Sequence, residues 1–134
     1  MSAIRILVVD DEPLVLRVLK LALEKAGYEV DTQPNGLTAL AHMVRQPPDA
    51  LITDIEMPEM GGKELCKRVD IDFPNRQFPI FVATSLTSLE HRNWSDAIEN
   101  LEFLEKPLSI RKLLSRLAEH FHGETVVRQE GQIS

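Results

Sequence analysis

Apolar residues along this chain come in two kinds of stretch: short aliphatic runs that end on polar residues, and longer segments with an apolar residue every three or four positions. Ile4 to Val9 is aliphatic except for Arg5 near its start, the pattern of a strand buried on both faces, as in a parallel sheet. It stops at Asp10-Asp11. Pro13 suits the first turn of a helix, and Val15, Val18, Leu19, Ala22 and Ala26 recur at helical spacing until Gly27 supplies a stop.

The alternation repeats along the chain. A short strand is expected at Tyr28 to Thr32, a turn at Pro34-Asn35-Gly36 and a helix from about Leu37 to Arg45, closed by Pro47-Pro48. Ala50 to Thr53 reads as a third strand ending at Asp54, and Met57-Pro58 with Gly61-Gly62 form a loop into a helix near Lys63 to Val69. Asp72 to Gln77 is polar and turn-rich. Phe78 to Ala83 is a fourth strand ending at Thr84-Ser85, a helix follows from about Thr87 to Ile98, and Leu101 to Leu104 is a fifth strand. Ile110, Leu113, Leu114, Leu117 and Phe121 then mark one face of a last helix.

Five strands alternating with five helices predict an α/β fold, a doubly wound parallel sheet in the order 2-1-3-4-5 with helices on both faces, flavodoxin-like in topology. Ligands of such sheets bind beyond the carboxyl ends of the strands. Those positions hold Asp10 and Asp11, Asp54, Thr84 and Lys106. Crowded carboxylates repel and raise one another's pKa, and a divalent cation relieves the crowding. Mg²⁺ suits the set, since it prefers oxygen ligands and accepts one or two carboxylates beside a phosphate. The chemistry that fits is phosphoryl transfer to a carboxylate, with Asp54 as nucleophile, Lys106 as a positive contact and Thr84 as a hydrogen-bond donor.

Composition narrows the field. With 134 residues, 43% of them hydrophobic and 27% charged, the chain has the size and make-up of one globular domain. Fifteen Lys and Arg against 21 Asp and Glu give a net charge of −6, which disfavours direct nucleic-acid binding. No apolar run reaches the roughly 18 to 20 residues of a membrane span, so no membrane partner is expected and a cytoplasmic location is the default. Cys66 has no second cysteine to pair with and reads as a small half-buried residue. His42, His91, His120 and His122 lack metal-ligand spacing and read as solvated. Trp94 suits either packing beneath the fourth helix or an exposed anchor for a partner.

Each acidic position has an ordinary reading when taken alone: Asp10-Asp11 as a helix cap, Asp54 as a turn residue, Lys106 as a surface charge. Together, the Asp10-Asp11 pair, Asp54 followed by Met57-Pro58-Glu59-Met60-Gly61-Gly62, Thr84-Ser85, and Lys106-Pro107 resemble the receiver domains of two-component response regulators. The resemblance covers about residues 4 to 121, and a receiver over 1–121 followed by a tail or linker over 122–134 is expected.

The resemblance implies that Asp11 ligates Mg²⁺ directly, that Asp10 supports it largely through water, and that Asp54 is both ligand and phosphoacceptor. The Glu56 backbone carbonyl would complete the protein ligands. Thr84 and Lys106 would contact the phosphoryl group, Lys106-Pro107 would be a cis peptide, and Phe103, which taken alone also fits an ordinary core aromatic, would be a switch aromatic that turns as Thr84 moves inward. A phosphorelay role follows, with a sensor histidine kinase or phosphotransfer protein as donor. The recipient would be a downstream protein or an output domain absent from this chain, reached through the face of the fourth helix, fifth strand and fifth helix, and a phosphorylation-dependent dimer is compatible with that face.

Two departures from the family pattern are Ile98-Glu99-Asn100 before the fifth strand and Ser85 after the switch hydroxyl. Other classes fit less well. A Mg²⁺-dependent phosphatase with an aspartyl intermediate needs Asp-x-Asp and a cap, a flavin carrier needs a first loop free of Asp10-Asp11-Glu12, and a constitutive pseudo-receiver would not need the whole site.

Overall fold

The computed structural model describes residues 3–85 and 93–122. The strands are β1 (Arg5–Val9), β2 (Glu29–Gln33), β3 (Ala50–Asp54), β4 (Ile80–Thr84) and β5 (Leu101–Glu105). All pair in parallel in one sheet, in the order β2-β1-β3-β4-β5. The helices are α1 (Pro13–Lys25), α2 (Gly36–Arg45), α3 (Gly62–Asp72), a helical stretch at residues 93–95 that we label α4, and α5 (Ile110–His122). The start of the helix expected from Thr87, His91 and residues 123–134 lie outside the described residues.

Alternating side chains of the central strands feed two cores, as parallel strands covered on both faces require. Ile6, Val8, Ala50, Ile52, Phe81 and Leu104 pack with Leu19 and Leu23 of α1 and Leu113 and Leu117 of α5. Leu7, Val9, Leu51, Ile80 and Val82 point the other way, onto Met43 of α2, Leu65 and Val69 of α3, and Trp94. The edge strand β2 buries only Val30 and shows charged Glu29 and Asp31 at its border, features that discourage pairing with another chain.

The helix expected to reach Ile98 ends at residue 95, and details of α1 and α3 also change. In α1 the inward face is Val15, Leu16, Leu19 and Leu23, whereas Val18 is 49% exposed. This helix is aliphatic nearly all round, with Leu14 and Leu21 also exposed, so apolar spacing alone fits more than one face. In α3 the helix continues past Val69 to Asp72, helped by the Arg68–Asp72 pair one turn apart. It stops at Phe73, whose backbone has left the helical region (φ −127°, ψ 67°), as suits a residue followed by Pro74. Gly27 ends α1 with φ 103°, and Asn100, at φ 59°, takes the left-handed turn that starts β5.

Candidate functional site

The sheet order brings the ends of β1, β3, β4 and β5 side by side. Asp10 directly follows β1, where its N–H donates to the Gln33 carbonyl and its Oδ1 accepts the Glu12 N–H at 2.9 Å, turning the chain into α1. Asp54 closes β3 and Thr84 closes β4; both are buried. Lys106 follows β5, its backbone N–H held by the Thr84 carbonyl at 2.9 Å.

These elements converge their side chains. One carboxylate oxygen from each of Asp10, Asp11 and Asp54 lies within 4.8 Å of the other two. Oxygens around one Mg²⁺ stand roughly 3 Å apart as neighbours and 4 Å apart as opposites, so the group fits a single divalent cation with small side-chain adjustment. Lys106 Nζ stands 2.6 Å from Asp54 Oδ1. This contact is an ion pair rather than a well-directed hydrogen bond, and Oδ1 is buried with no hydrogen-bond partner among the described residues.

Charge at the site is unbalanced. Burial raises the Asp10 pKa above the ordinary carboxylate range, and nearby Asp54 and Asp11 add to the rise, against the opposing Glu12 N–H and Lys106. For Lys106, burial would lower the pKa, but Asp54, Asp10 and Glu12 outweigh it and hold the ammonium above its usual value. A cleft of about 240 Å³ opens here, bordered by Asp10, Glu12, Asp54, Lys106 and Pro107.

The loop after Asp54 is held by close backbone approach. Gly62 N–H donates to the Ile55 carbonyl at 2.9 Å, and a Cβ on Gly62 would stand 2.2 Å from the Asp54 carbonyl oxygen. Gly36 N–H likewise holds the Met60 carbonyl. Sequence reading placed Gly61-Gly62 only as loop residues; the tight seat of α3 against the Asp54 backbone is the reason for glycine at 62. Glu56 lies on this loop with its side chain exposed and outside the acidic group.

Phe103 is half-buried against the core, and its ring meets Trp94 edge to face, centroids 5.7 Å apart at 84°. Trp94 is 8% exposed, so it packs beneath the surface and is not an exposed anchor. The Lys106-Pro107 peptide is cis. Cys66 is wholly buried rather than half-buried, and burial pushes its thiol up to about 12. His42 is not solvated: its Nε2 lies 3.3 Å from Asp31 Oδ2 in a half-buried position, whereas His120 is exposed beside Phe121.

Comparison with known proteins agrees with this geometry. Residues 6–118 match the response regulator receiver domain family. The response regulator PleD of Caulobacter vibrioides is 38% identical over 122 residues, 87% of this chain and 26% of PleD. MprA of Mycobacterium leprae is 34% identical over 84% of this chain and 49% of its own length, so the chain spans half or less of these relatives. Among solved structures, the chemotaxis protein CheY4 of Vibrio cholerae superposes with TM-score 0.81 at 32% identity, covering 88% of this chain and 98% of CheY4. TrrA of Thermotoga maritima, solved in complex with Mg²⁺-BeF, gives TM-score 0.75 at 32% identity over 87% of this chain and 97% of its own. With sheet order, acidic cluster and sequence match in agreement, the chain belongs to the response regulator receiver domain family of two-component signalling.

Proposed function

We propose that this chain accepts a phosphoryl group on Asp54 from a phosphohistidine of a sensor kinase or phosphotransfer protein. The observation that carries the reading is the meeting of Asp10, Asp11 and Asp54 opposite Lys106, whose ammonium lies 2.6 Å from Asp54 Oδ1. Mg²⁺ would be held by Asp10, Asp11, Asp54 and the Glu56 backbone carbonyl, and when bound it supplies positive charge to the transferring group. The TrrA complex with Mg²⁺-BeF supports that assignment by similarity.

In the transfer, an Asp54 carboxylate oxygen attacks phosphorus while the P–N bond to imidazole breaks and the imidazole keeps the bonding pair. Lys106 shifts from the Asp54 oxygen to an oxygen of the phosphoryl group, and the Thr84 hydroxyl donates to another. Moving Thr84 lets Phe103 turn, so a local charge change becomes a change of the surface made by α4, β5 and α5. That surface would engage a downstream protein, an output domain or a second copy of the chain. The chain thus assists its own phosphorylation and dephosphorylation as a switch, without a turnover substrate, in the cytoplasm.

Incubation with Mg²⁺ and acetyl phosphate tests the reading by intact mass. One base-labile phosphoryl group is expected on the natural chain and none on Asp54→Asn; equal uptake by both, or none by either, overturns it.

A further inference from the structure

The last turn of α3 carries Asp70 and Asp72 and no basic residue, although the carboxyl end of a helix favours cations. Arg76, just beyond that helix, compensates by folding back. One guanidinium nitrogen lies 3.1 Å from Asp70 Oδ1, the other terminal nitrogen donates to the Glu99 carbonyl, and the guanidinium carbon sits 5.8 Å from the Phe78 ring centre. The side chain is only 5% exposed. Its Nε is buried without a hydrogen-bond partner among the described residues.

This arrangement is an expensive way to fill space, since a buried cation with an unmet donor is costly and an apolar side chain of similar size is not. What Arg76 does provide is position. Beside it, Asn100 Nδ2 donates to the Gln77 carbonyl at 3.2 Å and Ile80 N–H to the Asn100 carbonyl at 2.9 Å. Polar bonds therefore fasten the segment between α4 and β5 to the segment between α3 and β4. On the outer side of that junction a cleft of about 560 Å³ opens, bordered by Pro74, Gln77, Ala97 and Glu99. Among the described residues, packing holds the segment from within, through Trp94 and Ile98, and Trp94 touches Phe103.

Building on the receiver reading above, we infer that Arg76 is a positioning residue for the switch: it pins the α4–β5 segment to the end of α3 and so sets how readily Trp94 and Phe103 leave the arrangement seen here. Arg76 lies at the opposite end of the sheet from Asp54, and its bonds among the described residues are to Asp70 and Glu99. Its effect on the site runs through the equilibrium between two arrangements of one segment. A residue that biases such an equilibrium must alter the affinity of any ligand that selects one side of it.

The test uses the full chain, in which Trp94 is the only tryptophan, titrated with beryllofluoride in Mg²⁺ and followed by tryptophan emission. Arg76→Gln is expected to bind beryllofluoride roughly fivefold or more tightly, with emission of the free protein already displaced toward that of the bound form. Arg76→Lys, which keeps the charge but not the fork, should fall between. A folded Arg76→Gln with natural affinity and emission overturns the inference. Should Arg76→Gln fail to fold, Asp70→Asn and Arg76→Lys decide the matter, and natural affinity in both overturns it. If the natural chain ignores beryllofluoride, or Asp54→Asn binds it equally well, the receiver reading falls and this inference with it.

Discussion

At the amino-terminal end of the strands, Arg5 lies between Glu29 and Asp31, Arg76 between Asp70 and the Glu99 carbonyl, and Arg116 between Glu102 and Glu119. At the carboxyl-terminal end, Asp10, Asp11 and Asp54 crowd together with Lys106 as their close cation. On one side of the sheet each of these carboxylates is thus matched by contact with a guanidinium, and on the other side three carboxylates share one ammonium and are unmatched. The matched contacts tie strand to strand, strand to helix and, at Arg76, loop to loop. Under the proposed function, the unmatched cluster would cost the fold stability in exchange for affinity toward a cation and a phosphoryl group, the usual trade at functional sites.

The contrast can be broken most severely at Gly62. A methyl group there would sit 2.2 Å from the Asp54 carbonyl oxygen, with backbone on both sides of the clash. Gly62→Ala is expected to lose about 3 kcal/mol of stability, measured by urea unfolding, and to lose phosphoryl uptake with it. Natural stability in this variant would show that α3 is not seated on the Asp54 strand as described.

Neutralising one carboxylate at the unmatched end should do the reverse. Asp10→Asn removes repulsion from a buried group whose charged form the fold disfavours, so the metal-free protein should gain roughly 1 kcal/mol. Mg²⁺ is expected to raise the melting temperature of the natural chain and to have no such effect on the variant. A fall in metal-free stability would mean that attraction to Lys106 and the charge assistance of the bond from the Glu12 N–H outweigh the repulsion.

At the matched end, Arg116→Gln removes an exposed pair of contacts and should cost about 0.5 kcal/mol, less at high salt. Salt sharpens the comparison, because screening should shrink both the gain from Asp10→Asn and the loss from Arg116→Gln. If salt moves only one of them, the two ends do not differ in charge balance alone.

How much of this was legible beforehand depends on what each feature rests upon. Strand order and the convergence of Asp10, Asp11, Asp54, Thr84 and Lys106 were legible because each aliphatic run ends on a residue whose chemistry marks the same end of the sheet. The inward face of α1 was not, since Leu14, Val18 and Leu21 are as apolar as the buried Leu19 and Leu23. Arg76 gave no signal either: its partners Asp70 and Glu99 become neighbours only once α3 and the α4–β5 segment meet in three dimensions. His42 misled for the same reason, its partner Asp31 lying on the edge strand. Trp94 fitted two readings until Phe103 was found against it.

The smallest expected effect on stability sits at the rim of the unmatched end. Glu56 is exposed, so Glu56→Asn should leave unfolding unchanged while altering the chemistry next to it. Its carbonyl is the proposed metal ligand, which the substitution preserves; only the carboxylate is lost. That carboxylate can accept a hydrogen bond from the water that attacks the aspartyl phosphate and orient it toward phosphorus. An exposed charge a few ångströms away in water is worth about 1 kcal/mol or less, so the phosphorylated Asn variant should persist longer, by no more than about fivefold. Following the decay of the phosphoprotein after removal of acetyl phosphate measures this directly. Equal lifetimes would assign the site's chemistry to the buried carboxylates, Thr84 and Lys106, with Glu56 contributing no more than its backbone.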